Sequence, residues 1–145
     1  MTSANIQMLQ ANLELIVERD PDLMSLFYAT FFERYPEVKP LFGRNSQSQQ
    51  EQMLAEALTM LVGHLDDEAF VEDTMLAVGR KHLDYGVEDK MYAWVGECLL
   101  STLGDVSGDD WTPELEAAWS GVLNAIAGIA IRGAGQARAE VAARA

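Results

Sequence analysis

Apolar residues recur at helical spacing along most of the chain, and this periodicity limits the possible folds more than any other feature. Intervals of three and four residues separate Ile6, Leu9, Leu13 and Ile16, and similar spacings recur in later segments. No segment shows convincing strand character, and neither a repeat nor a linker divides the chain. We therefore predict an all-α protein of about six to eight helices packed on one another.

Helix boundaries can be placed where capping residues and proline coincide. Asp20 and Pro21 fit the N-cap and first position of a second helix, and Thr112 and Pro113 fit the same roles in the last helix. Gly133 is one of two glycines predicted to end that helix, the other being residue 135.

We expect one domain over residues 1–145, with its core at about residues 5–132. Residues 133–145 form an alanine-rich tail that could extend the last helix in a frayed state.

Charge and hydropathy exclude several classes of partner. The chain has 145 residues, 49% of them hydrophobic, and a formal net charge of −13. This acidity argues against nucleic acid and anionic membranes as partners, and no apolar run approaches the roughly 20 residues that span a bilayer. The N-terminus has no secretory signal pattern, so we expect a cytoplasmic protein. Cys98 is the only cysteine, which excludes an intrachain disulfide and a cysteine-rich zinc site, and its spacing predicts a small buried side chain.

His82 is the residue with the clearest chemical potential. It follows a segment with helical spacing and precedes Gly86, so its imidazole should project from the last turn of a helix. A neutral imidazole at this place could be an axial ligand of haem iron. A lone histidine at a helix C-terminus is more often a capping or solvated side chain that the helix dipole favours.

Three other polar residues bear on this choice. Tyr28 lies among aromatic residues, and Gln50 begins an apolar stripe that continues one turn later with Leu54, although both could simply be solvated at their polar ends. His64 lies about 21 Å beyond Gln50 along a continuous helix, so the two could not reach one iron atom. We therefore interpret His64 as a surface residue.

The order of these residues along the chain resembles the globin family. The resemblance covers about residues 9–131. Within the globin family, the chain looks most like bacterial single-domain haemoglobins and the haem domain of flavohaemoglobins. The motifs that carry it are Phe27–Phe32, Tyr35-Pro36 through Leu41-Phe42, Gln50 with Leu54, Arg80-Lys81-His82 through Gly86-Val87, Tyr92–Leu99 and Ala118-Trp119.

The resemblance implies specific roles on the two sides of a haem. His82 would be the proximal iron ligand, and Phe42 the aromatic ring stacked on the porphyrin. Tyr28 and Gln50 would be distal hydrogen-bonding groups with a catalytic role, and Leu54 would cover the sixth coordination position.

Other matched residues would surround the cofactor. Val87 would contact the haem, and Lys81 could pair with a propionate, as could Arg80 and Arg44. Tyr92 matches a tyrosine behind the proximal histidine, but the glutamate that accompanies it in flavohaemoglobins is missing, since residues 129–134 hold no acid. We therefore expect less anionic character on the imidazole and weaker peroxidase-like chemistry.

The resemblance thus implies haem b, held non-covalently because the chain has no Cys-x-x-Cys-His attachment motif. The expected function is reversible binding of O2, NO and CO, with nitric oxide dioxygenation as a possible enzymatic activity. No dinucleotide glycine motif is present, so turnover would need an external reductase. Two alternatives stay open: a gas or redox sensor that acts through a protein partner, and a helical bundle without haem. We expect a monomer or homodimer.

Overall fold

The computed structural model describes residues 2–144, and that part of the chain is helical without any β-strand. The all-α prediction is therefore confirmed. Six α-helices and two 3₁₀ segments follow one another in this order: α1 Ser3–Arg19, α2 Leu23–Arg34, the 3₁₀ segment Pro36–Phe42, α3 Gln47–Gly63, α4 Glu68–Asp84, α5 Asp89–Ser107, the 3₁₀ segment Gly108–Asp110, and α6 Pro113–Arg144.

Side-chain caps explain where helices begin, with one correction to the sequence-based boundaries. The hydroxyl of Thr112 accepts a hydrogen bond from the backbone N–H of Leu115 at 3.1 Å, so α6 starts as predicted. Asp20 is not the N-cap of α2. Its carboxylate accepts a bond from the backbone N–H of Asp22 at 3.0 Å, which forms a local turn, and α2 begins only at Leu23.

The predicted end of α6 is also wrong. Gly133 and Gly135 lie inside the helix, which continues to Arg144. Gly133 and Ala134 are buried, so the core extends past residue 132. A glycine inside a helix costs only about 1 kcal/mol relative to alanine, and close packing against another backbone can offset that penalty.

One part of the core is organised around a buried tryptophan with a polar partner. Trp119 is fully buried, and its indole N–H donates to the side-chain oxygen of Asn12 at 2.9 Å. The amide of Asn12 in turn donates to the hydroxyl of Ser107 at 3.1 Å. This chain of bonds joins α6, α1 and α5 in the interior, where an unpaired polar group would be destabilising.

Two further clusters position the candidate site residues. The aromatic cluster lies between α2, the first 3₁₀ segment, α5 and α6, and its buried members are Phe27, Tyr28, Phe31, Val38, Met91, Cys98, Leu99 and Leu123. The α4–α6 cluster contains Leu61, Val71, Met75 and Ala130. Cys98 is fully buried, as predicted.

Exposed ion pairs hold the last turns of α6 against neighbouring helices. Arg80 of α4 pairs with Glu140, and Asp89 at the start of α5 pairs with Arg138 at 2.9 Å. All four side chains are substantially exposed, so solvent screening keeps the contribution of each pair to stability small. Within residues 2–144, no helix combines the length and apolar character required to cross a lipid bilayer.

Candidate functional site

His82 lies in the last turn of α4, and one of its ring nitrogens is already bonded. Nδ1 lies 2.8 Å from the backbone carbonyl oxygen of Val78. Because a carbonyl only accepts, Nδ1 carries the proton and Nε2 keeps a free lone pair. Burial lowers the pKa of His82 below its ordinary value of 6.5, and the charge of Lys81 acts in the same direction. The imidazole is therefore neutral at pH 7 and has the electronic state of a metal ligand.

His64, the second histidine, makes the same local hydrogen bond on the surface. Its Nδ1 lies 2.7 Å from the carbonyl oxygen of Met60, and its ring stacks on Phe70 with 4.3 Å between centroids. The side chain is exposed at the C-terminal end of α3. The interpretation of His64 as a surface residue is confirmed.

Tyr28 presents a buried phenol at the centre of the aromatic cluster. The residue is only 4% exposed, and its ring meets Phe27 and Phe42 edge-on at centroid distances of 5.0 and 5.7 Å. The hydroxyl donates to the backbone carbonyl of Gln50 at 3.4 Å, so the contact with Gln50 involves its main chain rather than its side-chain amide. Burial, assisted by the charge of Glu51, raises the pKa of Tyr28 to about 12. The phenol is therefore a permanent donor at neutral pH.

This pKa shift predicts an alkaline loss of stability that depends on Tyr28. The folded protein holds the phenolic proton up to a pKa of about 12, whereas an unfolded tyrosine releases it near 10. The contribution to stability is complete below pH 10 and decreases as the pH rises towards 12, because the unfolded chain binds fewer protons there.

We expect wild type to lose about 2 kcal/mol more than Tyr28→Phe between pH 9 and pH 11.5. Urea unfolding of the apoproteins at both pH values measures the difference. Tyr85→Phe, which removes the hydroxyl of a partly exposed tyrosine at the C-terminal end of α4, serves as the control. Equal pH dependence in wild type and Tyr28→Phe would contradict the assignment.

Three apolar candidates lie against the aromatic cluster. Phe42 ends the first 3₁₀ segment, and its ring lies 5.5 Å from that of Phe32 in an edge-on arrangement. Leu54 of α3 and Val87, just after α4, pack partly buried against the same cluster. The structure therefore brings Phe42, Leu54 and Val87 together with Tyr28.

Tyr92 of α5 lies close to His82. The centroids of the two rings are 6.4 Å apart, and Tyr92 packs against the α4–α6 cluster. Its hydroxyl is buried and has no hydrogen-bond partner within residues 2–144. Burial raises the pKa of Tyr92, with a further contribution from the charge of Asp89. An orphaned hydroxyl of this kind agrees with the sequence observation that residues 129–134 of α6 provide no carboxylate.

The three predicted cations have different surroundings. Lys81 is exposed and forms no ion pair with any residue in 2–144. Arg80 is bound to Glu140, and the guanidinium of Arg44 lies 4.6 Å from the centre of the Tyr85 ring. Of the three cations, Lys81 is therefore the one without an ion pair or an aromatic contact in the described chain.

Six helices in this order, with an imidazole at the end of the fourth and a buried phenol on the second, define a globin-type fold. The chain belongs to the globin family, whose model matches residues 25–130.

Two curated relatives are longer than this chain. Flavohemoprotein B of Dictyostelium discoideum is 31% identical over 127 residues, which cover 88% of this chain and 30% of the relative. The flavohemoprotein of Rhodopirellula baltica is 35% identical over 123 residues, covering 83% of this chain and 28% of that protein. The chain thus spans less than a third of the length of these two curated relatives.

Solved structures match over nearly the whole chain. An engineered carbene transferase, made from a proposed nitric oxide dioxygenase of Rhodothermus marinus, gives a TM-score of 0.84 at 25% identity and covers 98% of this chain and 99% of its own. A bacterial globin from Campylobacter jejuni gives 0.80 at 26% identity, covering 93% and 97%. A Malassezia yamatoensis flavohemoglobin with bound FAD and haem gives 0.77 at 26% identity, covering 95% of this chain and 37% of that one.

Proposed function

We propose that this globin binds haem b non-covalently through His82 and binds O2, NO and CO reversibly. The observation that carries the proposal is the hydrogen bond of 2.8 Å between Nδ1 of His82 and the carbonyl oxygen of Val78, which leaves Nε2 as a free donor of an electron pair. A bound haem would supply an iron atom that can take a diatomic ligand. The presence of haem in the Malassezia flavohemoglobin supports this choice of cofactor.

The residues around Tyr28 suit the apolar face of a porphyrin and a polar diatomic ligand. Phe42 offers an aromatic ring, and Leu54 and Val87 offer apolar side chains that exclude water. The bond from Tyr28 to Gln50 is long, at 3.4 Å, so the hydroxyl can turn to a stronger acceptor with little loss. Such an acceptor is a ligand with partial negative charge, which the phenol would stabilise. The side-chain amide of Gln50 is the second donor in this proposal.

The orphaned hydroxyl of Tyr92 favours ligand binding over peroxide chemistry. A carboxylate hydrogen-bonded behind an axial histidine increases the basicity of the ligand and pushes electron density to the iron. Here the imidazole donates to the neutral carbonyl of Val78, and Tyr92 has no acidic partner in the described chain. We therefore place this chain among globins with a neutral proximal histidine.

Nitric oxide dioxygenation is the enzymatic activity that we propose, with electrons from a separate reductase. Two polar donors, Tyr28 and Gln50, would hold O2 in the site while NO arrives, and nitrate would leave. The Rhodothermus relative, itself a proposed nitric oxide dioxygenase, supports this assignment. Lys81 is the exposed cation that would pair with a haem propionate next to His82.

Absorption spectra of protein expressed with haem available test the proposal. We expect an intense Soret band in the ferric protein that shifts after reduction with dithionite and shifts again under CO. A colourless protein, or one whose spectrum ignores CO, would contradict haem binding. The same preparation, reduced and given O2 and then NO, should yield about one nitrate per haem, and Tyr28→Phe should release O2 faster and yield less nitrate. Absence of nitrate from wild type would leave ligand binding without the enzymatic activity.

A further inference from the structure

Helices α4 and α6 approach each other through a reciprocal pair of glycines. A Cβ atom at Gly79 of α4 would lie 1.8 Å from the carbonyl oxygen of Ala130 in α6. A Cβ atom at Gly133 of α6 would lie 2.3 Å from the carbonyl oxygen of Leu76 in α4. Both obstacles are backbone atoms, so no change of rotamer can relieve them. A methyl group at either position must push the two helices apart.

Other helical glycines in the chain have no such role. A Cβ atom at Gly96, Gly121, Gly128 or Gly135 would meet nothing within 4 Å. A Cβ atom at Gly104 of α5 would lie 3.3 Å from the side chain of Trp111, which is not a backbone atom. Gly79 and Gly133 are therefore the two helical glycines at which a Cβ atom would meet the backbone of another helix. Glycine is otherwise less favourable than alanine inside a helix, so a close backbone contact is a physical reason for glycine at these two positions.

The crossing lies directly before His82 on the same helix. Gly79 precedes His82 by three residues, less than one helical turn, and the Val78 carbonyl that fixes the imidazole is adjacent to Gly79. One and two turns earlier on the same face of α4, Met75 and Val71 pack with Ala130 in the α4–α6 cluster. A displacement of α4 at Gly79 is therefore transmitted to the imidazole through a single rigid turn.

We propose that Gly79 and Gly133 are positioning residues that set the place of the His82 imidazole, and so the geometry of the axial bond to iron. The proposal rests on haem binding through His82. A methyl group at position 79 would lie 1.8 Å from the carbonyl oxygen of Ala130, so the two atoms must separate by about 1.6 Å to reach an ordinary contact distance of 3.4 Å. A shift of this size is large compared with the tolerance of a metal–ligand bond, about 0.2 Å.

The test compares alanine variants of the two crossing glycines with alanine variants of glycines that face open space, in the haem-loaded protein of 145 residues. Gly79→Ala and Gly133→Ala should shift the iron–histidine stretching band in resonance Raman spectra of the ferrous protein, and should change the CO association rate threefold or more. Gly121→Ala and Gly128→Ala introduce the same methyl group on α6 into open space, and should leave both measurements at wild-type values. Circular dichroism of each variant reports whether its helices form.

The outcomes separate this proposal from haem binding itself. If Gly79→Ala and Gly133→Ala fold and take up haem with the band and CO rate of Gly128→Ala, the positioning role is wrong. If neither variant folds while both controls do, the crossing is a folding requirement only, and the proposal also fails. A wild-type protein without haem would overturn the proposed function directly, and this inference with it.

Discussion

Replacing His82 by alanine is expected to abolish the intense Soret band and its response to CO. The imidazole is the proposed axial ligand, and the Val78 carbonyl already holds its Nδ1, so no other atom of the side chain can take the role of Nε2. The other contribution of His82 is its hydrogen bond to the Val78 carbonyl, and a bond of this kind is worth about 0.5–1.5 kcal/mol to folding. Haem titration into the apoprotein, followed by absorption, measures the loss.

His64 offers a matched control for this substitution. It makes the same bond to a carbonyl four residues earlier, at 2.7 Å, but its side chain is exposed. His64→Ala should therefore keep the wild-type Soret band and CO response. His82→Gly with added imidazole should regain a wild-type spectrum, since the free base can occupy the vacated position. An unchanged spectrum in His82→Ala would remove His82 from the site.

Replacing Trp119 by alanine is expected to lower the free energy of unfolding of the apoprotein by about 3–5 kcal/mol. The side chain is fully buried, and its loss leaves a cavity where α1, α5 and α6 meet. It also removes the donor to Asn12, a buried polar group that cannot turn to water. Guanidinium or urea unfolding followed by circular dichroism gives the value.

A second substitution separates the packing and hydrogen-bonding parts of this effect. Trp119→Phe keeps most of the ring but leaves the Asn12 oxygen unpaired, so we expect a smaller loss of about 1–3 kcal/mol. Trp94 is the control: it is partly exposed and stacks on Tyr35 with 4.5 Å between ring centroids. Trp94→Ala should be less destabilising than Trp119→Ala. An equal loss in both would show that burial at residue 119 does not determine stability.

Local chemistry made some helix boundaries predictable, and long-range packing made others unpredictable. Thr112 before a proline identified the start of α6, because capping depends on neighbours in sequence. The predicted helix end at Gly133 was wrong because this glycine packs closely against the backbone carbonyl of Leu76, which is distant in sequence. The prediction that Asp20 is the N-cap of α2 was wrong for a local reason. Its carboxylate accepts a hydrogen bond from the backbone N–H of Asp22, which forms a turn before the helix begins.

The candidate site shows the same difference between local features, which the sequence can predict, and long-range contacts, which it cannot. The sequence could single out Tyr28, Gln50 and His82 from their types and order along the chain. It could not show that the hydroxyl of Tyr28 reaches the main chain of Gln50, because that contact depends on how α2 crosses α3. The spacing of four residues permits a hydrogen bond from His82 to the carbonyl of Val78. The sequence alone could not distinguish this bond from a side chain that caps the helix in contact with water.

The continuity of α6 up to Arg144 matters for protein engineering. Beyond its last buried residue, Ala134, the helix runs on for about 15 Å, and Glu140 and Arg138 tie this extension to α4 and α5. A reporter protein joined to Arg144 through a continuous helix would be held by a rigid connection rather than by a flexible linker. Each residue inserted at the junction would turn the reporter by about 100° around the axis. Because α6 packs against α4, the helix that carries His82, the number of inserted residues would set the orientation of the reporter relative to the candidate site.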